Sequence, residues 1–192
     1  MIGGLLWSVY ICLMPYFYHI FNHANGIENL FRDEGNYVFF LHKVKKYISP
    51  HADLLSYCLM PNHFHLLIST DLSQFAILKQ ATNLTISYAK SYNKLFHRKG
   101  ALFLRACKIK LIEELTAVPQ VIMYIHRNPI HHGFETMYTD WAYSSYHDIC
   151  AGNRDYISCE KSMSYFGDTQ NFKIMHQAYK DKLNLEKELE EL

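Results

Sequence analysis

The first pattern along the chain is alternation. From Tyr16 to His23 apolar and polar residues take turns, which reads as a strand. Asn25-Gly26 then turns the chain. Gly35–Ser49 carries Val38, Phe39, Leu41, Val44, Tyr47 and Ile48 at helical spacing, with Lys43, Lys45 and Lys46 on the wet side. Asp53–Met60 is a second strand, Pro61-Asn62 a turn and His63–Ser69 a third strand. Asp71 is placed to N-cap a long helix reaching about Tyr92. After Gly100, Leu102–Ile112 reads as a fourth strand. A last core helix spans Thr116–Arg127, with Pro119 tolerable because it falls in the first turn.

The order β-α-β-β-α-β followed by a helix predicts an α+β, ferredoxin-like (RRM-like) fold, an antiparallel sheet with helices on one face. Beyond Gly133 the pattern weakens to helical pieces near 144–150 and 160–166, then a polar helix from about 170 to the end. The expected organisation is a core domain over 15–135 and a mostly helical C-terminal extension over 136–192. Residues 1–14 form an apolar N-terminal extension. That stretch lacks a basic n-region and a cleavage site and is too short to span a bilayer, so it reads as a core strand or an upstream start-site extension.

Composition changes the picture at two points. The net charge of +1 looks neutral, but residues 1–135 hold 13 Lys/Arg against 8 Asp/Glu, and 136–192 hold 6 against 10. A basic body is joined to an acidic tail. Within 94–110 six basic residues meet no acid, and Phe96 and Phe103 lie among them, a composition suited to phosphate contact and base stacking. The plainer reading of the same run is a solvated basic face. The five cysteines form no CxxC pair, which reads as reduced thiols in a cytoplasmic protein with no membrane partner.

Two segments carry chemistry. In Cys58-Leu59-Met60-Pro61-Asn62-His63-Phe64-His65-Leu66-Leu67-Ile68, strand alternation sends His63 and His65 to one side and Phe64 to the other. Paired imidazoles on a strand make half a site for a divalent ion, though alone an H-x-H is more often two hydrogen-bonded histidines. In Tyr124-Ile125-His126-Arg127-Asn128-Pro129, Tyr124 and Asn128 share a helix face. Pro129 is expected to push Asn128 out of the α region, leaving its amide at a helix end. A phenol with a pKa of about 10 is a poor nucleophile at neutral pH unless a cation or a base assists it.

Together with SYAKSYN, the G-x-L-F near Gly100 and WAYSSY, these two segments resemble the HUH tyrosine transposases, the insertion-sequence-200-like and REP-associated group, over roughly residues 15–147. The resemblance implies a Mg²⁺ or Mn²⁺ ion held by His63, His65 and Asn128, with Tyr124 as nucleophile. It implies metal-dependent cleavage and rejoining of single-stranded DNA through a 5′-phosphotyrosine, at hairpin-bearing sites; a second copy of the chain, as a homodimer, is a further candidate partner. Tyr88 and Tyr92 are the next tyrosines to consider. Arg98, Lys99, Arg105, Lys108 and Lys110 are the candidate DNA contacts. The alternatives are a catalytically inactive or domesticated hairpin-DNA-binding protein of the same fold, and a different metal-dependent hydrolase. The last lacks a carboxylate near the histidines, since the nearest acids are Asp53 and Asp71.

Overall fold

Four strands make one antiparallel sheet: β1 (Tyr16–His23), β2 (Asp53–Met60), β3 (His63–Thr70) and β4 (Lys108–Ile112), in the order β2-β3-β1-β4. A computed structural model describes residues 15–179 of the chain. The apolar stretch 1–14 and the end of the expected polar helix lie outside the described residues. Helices α1 (Glu34–Tyr47) and α2 (Gln74–Leu95) are the two crossovers and share one face of the sheet, where Phe40 meets Phe64 at 4.8 Å and Tyr88 at 5.1 Å between ring centroids. Each fully buried aromatic there contributes roughly 1.5–3 kcal/mol of burial. The arrangement is the ferredoxin-like α+β fold. Helix α3 (Val118–His131) covers the other face, with its His126 against Ser56 of β2 and its Tyr124 edge-on to His65 of β3.

Several local expectations shift, each for a physical reason. Asp33 caps α1 by accepting from the Asn36 N–H, and the buried stripe is Tyr37, Phe40, Leu41 and Val44, while Val38 and Phe39 are exposed. Ser73, not Asp71, caps α2, its Oγ accepting from the Ala76 N–H. The stretch read as one strand over Leu102–Ile112 is regular only from Lys108. Phe103 bridges to Ala24 and Lys108 pairs with Phe21, so five chain steps on one side face three on the other. The surplus bulges out at 105–107, where the Asn22 side chain donates to the Arg105 carbonyl at 3.1 Å.

The chain beyond 135 adds α4 (Tyr146–Ala151), α5 (Cys159–Ser164) and α6 (Thr169–Ala178). Residues 141–145 run along the outer edge of β2. The Leu59 N–H donates to the Tyr143 carbonyl, the Ser145 N–H to the Tyr57 carbonyl and the Trp141 indole to the Leu59 carbonyl, at 2.9, 3.0 and 3.0 Å. That covers an edge that would otherwise be open to pairing. Tyr146, Ile149, Phe166 and Phe172 join the same core as the sheet. Cys58, Cys107, Cys150 and Cys159 are free thiols, and no helix among the described residues is long and apolar enough to cross a membrane.

Candidate metal and tyrosine site

The pleat of β3 puts His63 and His65 on the α3 side and Phe64 in the core beneath α1 and α2. Register does the rest. His23 lies opposite His63 and Phe21 opposite His65, while Lys108 and Lys110 of β4 lie opposite Phe21 and His19 on the same face. The His63 and His65 rings are 5.2 Å apart and perpendicular. The Tyr124 ring stands edge-on to His65 at 6.0 Å and to His19 at 6.2 Å. Strand pairing and one helix thus bring together residues more than 100 positions apart.

Hydrogen bonding then decides which atoms face the site. His63 Nδ1 donates to the Asn62 side-chain oxygen at 2.7 Å, so its Nε2 carries a lone pair. His65 Nδ1 is paired with His19 Nε2 at 2.9 Å. The Asn128 amide nitrogen donates to the Tyr124 carbonyl at 3.1 Å and to the Ile125 carbonyl at 3.4 Å. What is left over, His63 Nε2, His65 Nε2 and Asn128 Oδ1, is buried and without a hydrogen-bond partner. A buried polar atom left unpaired costs about 1–3 kcal/mol, so these three need an explanation. A divalent ion is one, because two imidazole nitrogens and an amide oxygen fit its coordination. Among the described residues no three His, Cys, Asp or Glu side chains form a group that could hold a metal ion.

Asn128 reaches this position differently from the sequence expectation. Helix α3 does not end at Arg127 but continues through Pro129 to His131. Pro129 has no N–H to offer the Ile125 carbonyl, the partner four residues back. The Asn128 amide takes that carbonyl instead, which turns its oxygen away from the helix. The proline acts by freeing an acceptor, not by unwinding the residue before it.

Electrostatics keep the rings neutral, as ligation requires. Burial, reinforced by Lys110, pushes His19 down to about 3. Burial pushes His63 down to about 2, with His132 and His23 adding to the effect and the Asn128 side chain opposing it. His65 falls well below its ordinary value, again chiefly through burial. Tyr124 is fully buried, one helical turn from Asn128. Tyr88 and Tyr92 are far from this chemistry. They sit on α2 on the opposite face, and their hydroxyls donate to the Leu30 and Asn29 carbonyls.

The basic residues do not form one patch. Lys108 lies over the Phe21 ring at 5.6 Å, on the histidine face beside Lys110. Arg105 is exposed on the bulge and Lys99 is exposed in the loop. Arg98 is a clamp: its guanidinium meets Glu28 at 2.9 Å and Asn93 at 2.9 Å, and its side chain is only 17% exposed. Phe103 packs edge-on to Phe64, and Phe96 packs against Tyr92 beneath the Arg32 guanidinium, so both half-buried rings already have protein partners. Sequence reasoning passed over His19, Asn62 and His132, whose ring lies 4.4 Å from His63. Alternation already set His19 and His23 on one side of β1; what was missing was that β1 lies beside β3.

No family model matches the chain. A protein of Haemophilus influenzae named as a REP-associated tyrosine transposase is 28% identical over 104 residues, covering 50% of this chain. The chain spans 59% of that relative's length. Among solved structures, a REP-associated tyrosine transposase bound to a REP hairpin matches with a TM-score of 0.58 at 15% identity, over 71% of this chain and 79% of that one. At that identity the structural likeness speaks for the fold. The chain is thus similar in sequence, over half of its length, to one REP-associated tyrosine transposase and shares its fold with another.

Proposed function

We propose that the protein cuts and rejoins single-stranded DNA beside a hairpin, with Tyr124 as nucleophile and His63, His65 and Asn128 as ligands of a divalent ion. The observation that carries this is the set of three buried, unpartnered atoms on those ligands next to the Tyr124 ring. When bound, Mg²⁺ or Mn²⁺ would neutralise the scissile phosphate and make it a better electrophile. Tyr124 Oη attacks phosphorus and loses its proton. The bond to the 3′-oxygen breaks, and that oxygen leaves with the electron pair and takes up a proton. The products are a 5′-phosphotyrosine and a free 3′-OH. A 3′-OH attacking in the reverse sense rejoins the strands, and because the bond energy is kept in the phosphotyrosine no nucleotide is consumed. Lys108 and Lys110, on the same face as the histidines, are placed to guide the phosphate backbone. The hairpin is carried over from the structural relative, which is bound to one.

The test is incubation with a hairpin-bearing single strand and Mn²⁺, followed by denaturing electrophoresis. A covalent adduct is expected with the native chain and none with Tyr124→Phe, which loses one oxygen and keeps the ring and the fold. His63→Ala and His65→Ala should also lose cleavage, with partial recovery in excess Mn²⁺. An adduct from Tyr124→Phe would show that another residue is the nucleophile. One observation favours hairpin binding without cleavage: Tyr124 is fully buried, so attack needs the phenol to be uncovered when DNA binds. DNA binding by the native chain with no adduct under any metal would establish that second reading.

A further inference from the structure

We propose that His19 is a positioning residue for this site: it accepts the Nδ1–H of His65 and so holds His65 in the tautomer whose Nε2 lone pair faces the ion. The inference rests on the reading of His63, His65 and Asn128 as metal ligands, and it adds a residue that the H-x-H pattern does not contain.

The geometry is specific. His19 Nε2 lies 2.9 Å from His65 Nδ1, and both side chains are buried. The two rings are within 14° of parallel at 5.1 Å, and His19 also packs against Phe21 at 4.8 Å, so two contacts fix its ring. A single proton occupies the His19–His65 contact, and there are two ways to place it. If His65 donates, its Nε2 is a lone pair and can ligate. If His19 donates, the proton of neutral His65 moves to Nε2 and blocks the site. His63 has no such choice, because the Asn62 side-chain oxygen can only accept. His65 therefore needs an acceptor at its Nδ1, and His19 Nε2 is the group in place. Its other nitrogen, Nδ1, is buried without a partner and can carry the proton that this arrangement requires. The pattern is that of a ligand histidine oriented by a neighbour on its far nitrogen, whose loss costs metal affinity about 10- to 100-fold.

The experiment compares the native chain, His19→Phe and His19→Gln by Mn²⁺ titration, reading free Mn²⁺ by electron paramagnetic resonance, and by ¹⁵N NMR of the imidazole nitrogens with Mg²⁺ as a diamagnetic probe. Phe keeps the stack on Phe21 but cannot accept; Gln keeps an acceptor. The expected result is Mn²⁺ affinity about 10- to 100-fold weaker for His19→Phe and within a few-fold of native for His19→Gln. The NMR should show His65 with its proton on Nδ1 in the native chain and His19→Gln, and on Nε2 for a substantial share of His19→Phe. If His19→Phe does not fold, the Gln variant carries the test through its tautomer and affinity. Mn²⁺ affinity of His19→Phe within twofold of native, or an unchanged His65 tautomer in it, overturns the role of His19 alone. Absence of saturable Mn²⁺ binding by the native chain overturns the ligand assignment itself, and this inference with it.

Discussion

Acidification from pH 8 to 5.5 should destabilise the metal-free fold by several kcal/mol, because five histidines are buried as neutral rings. His19, His63 and His176 are pushed down to about 3, 2 and 4, and His65 and His126 fall well below their ordinary value, in every case chiefly through burial. In the unfolded chain each ring takes up its proton near pH 6.5. Between about pH 6.5 and pH 4 the unfolded chain thus binds more protons than the folded one, and stability falls as pH falls. Above pH 6.5 the contribution is fully present. One unit below the unfolded value costs about 1.4 kcal/mol per ring, so five rings cost about 7 kcal/mol at pH 5.5. If the hydrogen-bonded pairs His19–His65 and His126–His176 each take one proton in place, three rings remain, at about 4 kcal/mol. Either figure is a large part of the roughly 5–15 kcal/mol that holds a domain together. Urea denaturation at pH 8, 7, 6 and 5.5 measures this directly, and the slope should correspond to three to five protons. Stability that stays flat over that range would mean that the rings are hydrated or charged in the folded protein, and the description of the site would fail. Saturating Mn²⁺ should add stability at pH 7.5, by about 2.7 kcal/mol at a hundred times its Kd, and the increment should persist to pH 5.5, because burial keeps the His63 and His65 rings neutral in the fold across that range.

Two further outcomes separate local causes. Pro129→Ala restores an N–H to the Ile125 carbonyl, so the helix should gain about 1–3 kcal/mol while Mn²⁺ affinity drops several-fold, since the Asn128 amide then competes for one of its two acceptors and keeps only the Tyr124 carbonyl unshared; calorimetric melting and metal titration read the two effects, and unchanged affinity would rule out a role for the proline. Arg105→Ala with Lys108→Ala should weaken binding to all single strands and flatten the salt dependence by about one to two counterions, whereas Arg98→Ala should act on stability through the lost Glu28 contact and leave the salt slope alone; equal slopes for all three proteins would move the DNA path away from β4.

The parts of the molecule legible in the sequence are those governed by short-range periodicity. Alternation set the four strands and the shared side of His63 and His65, and the 3.6-residue period set the long helix that holds Tyr88 and Tyr92. Error entered where two local rules competed. At Asn128-Pro129 the rule that a residue before proline leaves the α region lost to helix packing, because a side-chain amide could replace the missing backbone donor. At 102–107 a strand-like run carried two residues more than its partner, which cannot be known before the partner is known. The same division runs through the site itself. His63 gets its tautomer from the residue beside it, Asn62, so half of the ligand chemistry is written within one turn of chain. His65 gets its partner from His19, 46 positions away, and only the pairing of β1 with β3 brings the two together. A short motif can name the atoms that bind an ion, but whether those atoms carry lone pairs or protons depends on neighbours that the fold alone supplies.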